Sequence, residues 1–409
     1  MTVVIRLAWR NLWRHRRRTW LTIGSMVFSN ILLVFMISLQ LGSYRMMIDN
    51  SLRAFTGHFQ IQAPGYNEDP KLRLTVPSAI EASARLRNEL ELDGVAARGI
   101  GFALLSSDER SYGVQIVGTE PGHEASVSTL PGLMLEGRYF TDSRADEIVI
   151  GSVLARNLKI GVGDELTLLG SGKDGSFAAA VPTVTGIFES GMIDLDRGMA
   201  QMPLGTFQDV FAMGDAANSI VVVTPDVTAL SVWQPGFDAF LADNPDLVLV
   251  DWVHLQPGLR EAIQADMSSA WFMYGVLIIL VAFSVLNTQL MSVMERTREF
   301  GTILALGLRP GRLSLLVMVE SAFMAAIGLI IGILLGVAIS LYYQKVGFAY
   351  PGMGEMADKF NLPDRMYPSL SALSILLGPM VVYLGCLAAA LYPALRLRRL
   401  EPFEAMRAV

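Results

Sequence analysis

The residues that could carry covalent or metal chemistry in this chain each miss a requirement of that chemistry. Gly170-Ser-Gly-Lys173 has part of the phosphate-loop pattern, but Thr167 stands where glycine is needed and Asp174 where serine or threonine is needed. His15, His58, His123 and His254 are scattered, with no metal-ligand spacing among them. Asp194 and Asp196 flank an expected turn and read as a solvated loop, and no G-x-S-x-G nucleophile elbow occurs. Glu320 is different: it is an ionisable group about two turns into an apolar run. Such a group costs a few kcal/mol in a membrane, so it is expected to be paired or held near the headgroups, with structural pairing favoured over proton or substrate chemistry. What remains is recognition. Met294-Glu-Arg-Thr-Arg-Glu-Phe-Gly-Thr-Ile-Leu-Ala-Leu-Gly307 is a short, charged, helix-forming insert between two long apolar runs. An element of this kind is needed if something in the cytosol has to push on membrane helices.

The elements around that insert are those of a membrane protein. Of the 409 residues, 52% are hydrophobic and 17% charged, against about 25% charged in ordinary soluble chains. Four runs are long enough to cross a hydrocarbon core that takes about 20 apolar residues. The expected organisation is a cytoplasmic amphipathic helix over 1–18 and spans over 19–42, 269–294, 313–343 and 370–395. An external domain fills 43–268, a coupling helix and turn 295–312, an outer loop 344–369 and a cytoplasmic tail 396–409. The segment before the first span, the middle turn and the tail together hold 14 of the 32 basic residues, and none of the acids precedes the first span. Basic residues collect on the cytoplasmic side, which puts both termini and the middle turn inside. Between the first two spans stand 15 basic and 30 acidic residues, so that acidic domain is expected outside. The first apolar run is longer than a signal-peptide core and lacks an Ala-x-Ala site, which favours an uncleaved anchor.

Finer patterns assign roles. Arg6, Arg10 and Arg14 share one face of an Ile5–Arg18 helix, with Ile5, Trp9, Leu12 and Trp13 on another; this helix is expected in the headgroup layer. In the third span, Gly328, Gly332 and Gly336 recur every four residues and permit close helix approach, either within the chain or between two copies. Cys386 is the single cysteine and reads as a small packed hydrophobe. The external segment alternates short β-rich runs, from Gly57–Gln62 to Val248–Val253, with helical stretches such as Ser78–Leu90. Gly170–Gly175 reads as a hairpin tip or protruding loop. The fold class expected is an α-helical membrane protein with four transmembrane helices, plus a large α+β periplasmic domain inserted between helices 1 and 2.

Several segments, in order, resemble the ABC-transporter permeases of the MacB, LolC/LolE and FtsX type. Met294–Gly307 resembles the family's E-R-x-R-E-I-G-x-x-x-A-L-G segment, with Phe300 where isoleucine is usual. Glu320 before a glycine-rich span, and Tyr392-Pro-Ala-Leu-Arg396 through Leu400–Arg407, resemble its third-span entry and tail. Gly137–Phe140, Glu147–Gly151, Ile160–Asp164 and Val184–Phe188 are similar to the large external domain of the MacB and Lol types, and the resemblance is expected to be to the Lol arrangement, without a fused ATPase domain.

The resemblance implies a non-catalytic permease subunit, multi-pass in the bacterial inner membrane. It binds no cofactor itself; ATP and Mg belong to the partner ATPase. Two ABC ATPase subunits, a second identical or related permease, membrane lipids and a periplasmic carrier or adaptor are the implied partners, with no nucleic acid. Glu295, Arg296, Arg298, Glu299, Phe300, Ile303, Leu304, Ala305, Leu306 and Gly307 would form the ATPase-coupling element. Of these, Ile303, Leu304 and Leu306 would supply apolar contacts, and the charged residues a polar rim. Lipoprotein or lipid extraction is the leading substrate reading, with acyl chains near Ile31–Leu39 and Phe272–Leu280. Antibiotic or peptide export through a tripartite pump, and signalling to a cell-wall hydrolase, are the alternatives.

Overall fold

A computed structural model describes residues 2–14, 16–227, 230–351, 353 and 365–397. His15, residues 352 and 354–364 of the outer loop and the tail motif Leu400–Arg407 lie outside the described residues, as do the side chains of Thr2, Val3 and Arg18. The described residues form two compact units, one drawn from 1–46, 262–351 and 365–397, the other from 47–261 and 353.

Long apolar sequence makes long helices in the first unit. Arg16–Ser51, Pro257–Glu295, Pro310–Val346 and Gly378–Arg396, the last preceded by a π turn at Leu373–Leu377, carry the apolar runs. Four helices among the described residues are long and apolar enough to cross a membrane. An additional helix, Thr2–Arg14, precedes the first span, and a nine-residue helix, Thr297–Ala305, fills the turn between the second and third. Pro310 opens the third span at a position where a missing N–H costs nothing.

In the second unit eleven strands form one sheet: β1 Phe59–Gln62, β2 Val95–Ser106, β3 Ser111–Thr119, β4 Met134–Gly137, β5 Glu147–Gly151, β6 Thr167–Ser171, β7 Phe177–Ala180, β8 Thr183–Phe188, β9 Met199–Pro203, β10 Ser219–Val222 and β11 Val248–Asp251. Their order is β11-β1-β10-β2-β3-β9-β5-β8-β4, and β6 pairs with both β2 and β7. Most neighbours are antiparallel; β3 with β9 and β5 with β8 run parallel.

The longest strand, β2, has no period-2 signature to announce it. It is rich in alanine and glycine because a helix packs on it. A Cβ at Gly99 or at Gly118 of β3 would come within 2.5 Å of the Phe207 ring, so these strands must be bare where Leu204–Val210 crosses them. Phe207 stacks on Phe211 at 4.5 Å and both are fully buried in the larger core cluster.

The buried ion pair of this unit is hydrogen-bonded, as desolvation requires. Arg98 reaches both oxygens of Glu124, at 2.5 and 3.2 Å, and donates to the carbonyl of Phe55. Burial raises the Glu124 carboxyl and the Arg98 guanidinium opposes the rise. Asp194 and Asp196 do not flank an open loop: they lie in the helix Ile193–Gly198, and Asp196 is buried, accepting from the N–H and hydroxyl of Ser190 at 2.9 and 2.6 Å. The Gly170–Gly175 segment is the β6–β7 hairpin, with Gly175 at φ +84°, a value that favours glycine. Lys173 is tied down there, its Nζ donating to Thr75 Oγ1 at 3.2 Å.

Candidate functional site

The turn helix Thr297–Ala305 is amphipathic and its apolar side faces inward. Phe300 and Leu304 are buried with Ala8, Val293, Leu313, Val317 and Ala394 in one core cluster. Arg296, at the cap of this helix, is also buried; its guanidinium lies 4.9 Å over the Phe300 ring and its Nη1 donates to Glu320 Oε2 at 2.9 Å. The other oxygen of Glu320 accepts from Asn11 Nδ2 at 2.7 Å. Glu299 stands 3.7 Å from Arg296 and 3.3 Å from Arg14. A cavity of about 30 Å³, room for one water, adjoins the pair and is lined by Thr19, Thr22, Gln289 and Ser292 among others. Glu320 thus joins the N-terminal helix, the turn helix and the third span.

This geometry corrects the expected division of labour. Arg296 is not part of an outward polar rim, and Phe300 and Leu304 are not offered to a partner; all three fix the turn helix to its own chain. Of the residues expected in the coupling element, Glu295, Arg298, Ala305, Gly307 and Leu306 are exposed, Leu306 at 84%, and Glu299 and Ile303 are half-buried. Asn11 has no sequence signal linking it to Glu320, from which 309 positions separate it.

The N-terminal helix is held by aromatic packing as well. Trp9 meets Phe323 of the third span edge-on at 5.6 Å and Trp13 at 6.0 Å, and Trp13 meets Trp20 at 6.1 Å. Arg6 and Arg10 remain exposed. Arg14 is exposed too but carries the contact to Glu299.

The glycine row of the third span packs inside this chain. A Cβ at Gly328, Gly332 or Gly336 would stand 2.7, 2.4 or 2.9 Å from the Cβ of Met26, Asn30 or Val34 of the first span. Each step of four on one helix matches a step of four on the other in the same sense, so the first and third spans run parallel. Asn30 Nδ2 also donates to the Gly328 carbonyl at 3.4 Å.

Between the first and second spans lies a slot of about 470 Å³ with walls that include Leu33, Met36, Leu39, Met273 and Leu277. It includes part of both stretches expected to hold acyl chains. One part of its lining is polar and internally bonded. Tyr44 donates to Asp266 Oδ2 at 2.6 Å, Gln40 Nε2 donates to Tyr44 at 2.7 Å and to Asp266 Oδ2 at 3.3 Å, and Tyr274 donates to Gln40 Oε1 at 2.6 Å. Sequence reading missed these four residues. The available signal was the i, i+4 spacing of Gln40 and Tyr44 near the end of an apolar run, the spacing that puts two side chains on one helix face.

Residues 19–232, more than half of the chain, match the model of the MacB-like periplasmic core domain, and residues 271–402 match the FtsX-like permease C-terminal model. The chain is 23% identical over 387 residues to the lipoprotein-releasing system transmembrane protein LolC of Xylella fastidiosa, covering 90% of this chain and 88% of that protein. It is 23% identical to LolE of Haemophilus influenzae, covering 81% and 83%. To the macrolide export ATP-binding/permease protein MacB of Nitrobacter winogradskyi it is 26% identical, over 67% of this chain but 41% of that protein. With four apolar helices, a MacB-like α+β unit and an FtsX-like C-terminal region, the chain belongs to the MacB, LolC/LolE and FtsX family of ABC transporter permeases.

Proposed function

We propose that this chain is the permease subunit of an ATP-driven machine that extracts lipoproteins or lipids from the bacterial inner membrane. On this reading both termini and the turn helix are cytoplasmic, and the sheet unit is a periplasmic insert between the first and second spans. Two separate ATPase subunits bind ATP and Mg, and this chain is non-catalytic. The observation that carries the reading is the turn helix itself. Its inner side is locked to the third span through Arg296 and Glu320, while Arg298 and Leu306 are exposed on its outer side. A push on that surface is then passed to the span as a rigid-body displacement, the way packed elements switch between discrete arrangements.

Two further observations favour a lipid-like cargo over a soluble one. The slot between the first two spans is mostly apolar. The second span is also the least covered, with 6% of its apolar window buried against 50% for the first, which leaves it open to lipid or to a second permease. The relatives named for lipoprotein release add weight to extraction. Purification from native membranes in mild detergent, with mass spectrometry of every bound protein and lipid, tests this. An ATPase with acylated proteins or lipids supports extraction. An adaptor with an outer-membrane channel would replace it with tripartite export, and absence of any ATPase would overturn the permease assignment.

A further inference from the structure

We propose that Gln40, Tyr44, Asp266 and Tyr274 read the head of the amphiphile that fills the slot and select a head carrying an amine. This rests on the slot being a lipid site, as proposed above. The argument is a count of donors and acceptors. The hydroxyl hydrogens of Tyr44 and Tyr274 are spent on Asp266 and Gln40, and Gln40 Nε2 is spent on Tyr44 and Asp266. Ser269 donates back to the carbonyl of Ala265 at 3.2 Å. Ser43 is the remaining hydroxyl in the lining.

The cluster therefore turns acceptors toward an occupant. Both donors to Asp266 go to Oδ2, so Oδ1 stands outside the network. Among the described residues, Asp266 is the one formally charged residue lining the slot, and no lysine or arginine lines it. An ammonium brings three donors and the opposite charge. A head that is anionic and poor in donors meets a carboxylate and has one serine to bond. The slot volume of about 470 Å³ lies within the range of pre-formed ligand sites, so chain and head are accommodated by different walls of one site.

The same amine chemistry could come from a phospholipid or from an acylated polypeptide with a free amino terminus. The test uses the full-length protein, stripped of lipid in detergent, in competition binding with four probes. These are phosphatidylethanolamine, phosphatidylglycerol, a diacylated peptide with a free amino terminus, and the same peptide acetylated there. One amine-headed probe at least should bind roughly tenfold tighter than its amine-free counterpart, the scale of one charge-assisted hydrogen bond. Asp266→Asn should abolish that difference while keeping apolar binding. The phospholipid pair responding identifies a membrane lipid as the source, and the peptide pair an acylated protein. Met273→Trp should fill the slot and weaken all four probes together. Equal binding within both pairs, or a preference that survives Asp266→Asn, overturns head selection and leaves the slot standing. Binding that is absent, or indifferent to Met273→Trp in a variant that melts like wild type, overturns the slot itself.

Discussion

Arg296 Nη1 lies 2.9 Å from Glu320 Oε2, and both residues are buried where the turn helix meets the third span. Removing one partner takes the nearest opposite charge from the other, which keeps only weaker company: Glu299 at 3.7 Å for Arg296, the neutral Asn11 amide among others for Glu320. Arg296→Met and Glu320→Leu should each cost about 3–5 kcal/mol, whereas the two combined should cost far less than their sum. Thermal unfolding in detergent over a double-mutant cycle checks this. Additive effects would show that the two residues act independently.

Leu304 and Leu306 are two positions apart and should respond in opposite ways. Leu306 is exposed, so Leu306→Asp should leave the melting temperature unchanged and lower stimulation of the partner ATPase about tenfold, the scale of one interface contact of about 1.4 kcal/mol. Leu304 is buried, so Leu304→Asp should destabilise the protein by several kcal/mol through an unpaired buried carboxylate. Parallel melting curves and ATPase assays separate the two, and equal destabilisation by both would contradict the orientation of the turn helix.

The glycine seam gives a comparison of crowded and open sites. Gly332→Val must displace Asn30, whose Cβ would stand 2.4 Å from the new one, and should cost about 1–3 kcal/mol. Gly275 of the second span has nothing within 4 Å, so Gly275→Ala should be neutral or slightly stabilising. Melting temperatures of the two variants test the parallel packing of the first and third spans.

At the start of the helix Ala79–Leu90, the Ser78 hydroxyl donates to Asp215 Oδ2 at 2.7 Å and holds that carboxyl below the usual carboxylate range. With a folded value below the unfolded one, this stabilisation is present above the unfolded value of about 3.9 and is lost as pH falls through the folded value. Asp215→Asn should remove that part of the acid sensitivity. Acid titration of near-ultraviolet circular dichroism for both proteins is the measurement; identical acid midpoints would contradict it.

Much of the sheet unit was legible as short β-rich runs, since β1, β3, β5, β8 and β10 announce themselves by β-branched residues between turn formers. Strand β2 was not, because its alanines and glycines make sense only with Phe207 lying across them. Asp196 looked like a solvated loop residue for a related reason: its burial depends on Ser190 and the helix that brings the two together.

What the sequence determined by itself were properties summed over a segment. Four apolar runs, a cluster of arginines before the first, a charged insert before the third and an acidic region between the first two need no knowledge of neighbours. What only the tertiary structure decided were pairings between distant positions. Asn11 meets Glu320, Gly332 meets Asn30, and Tyr44 meets Asp266 across 222 positions. Hydrophobicity and charge act on each residue through its solvent and can be read locally. A hydrogen bond or a close helix approach depends on two side chains being brought to within a few ångströms, and the folding of the whole chain sets that distance.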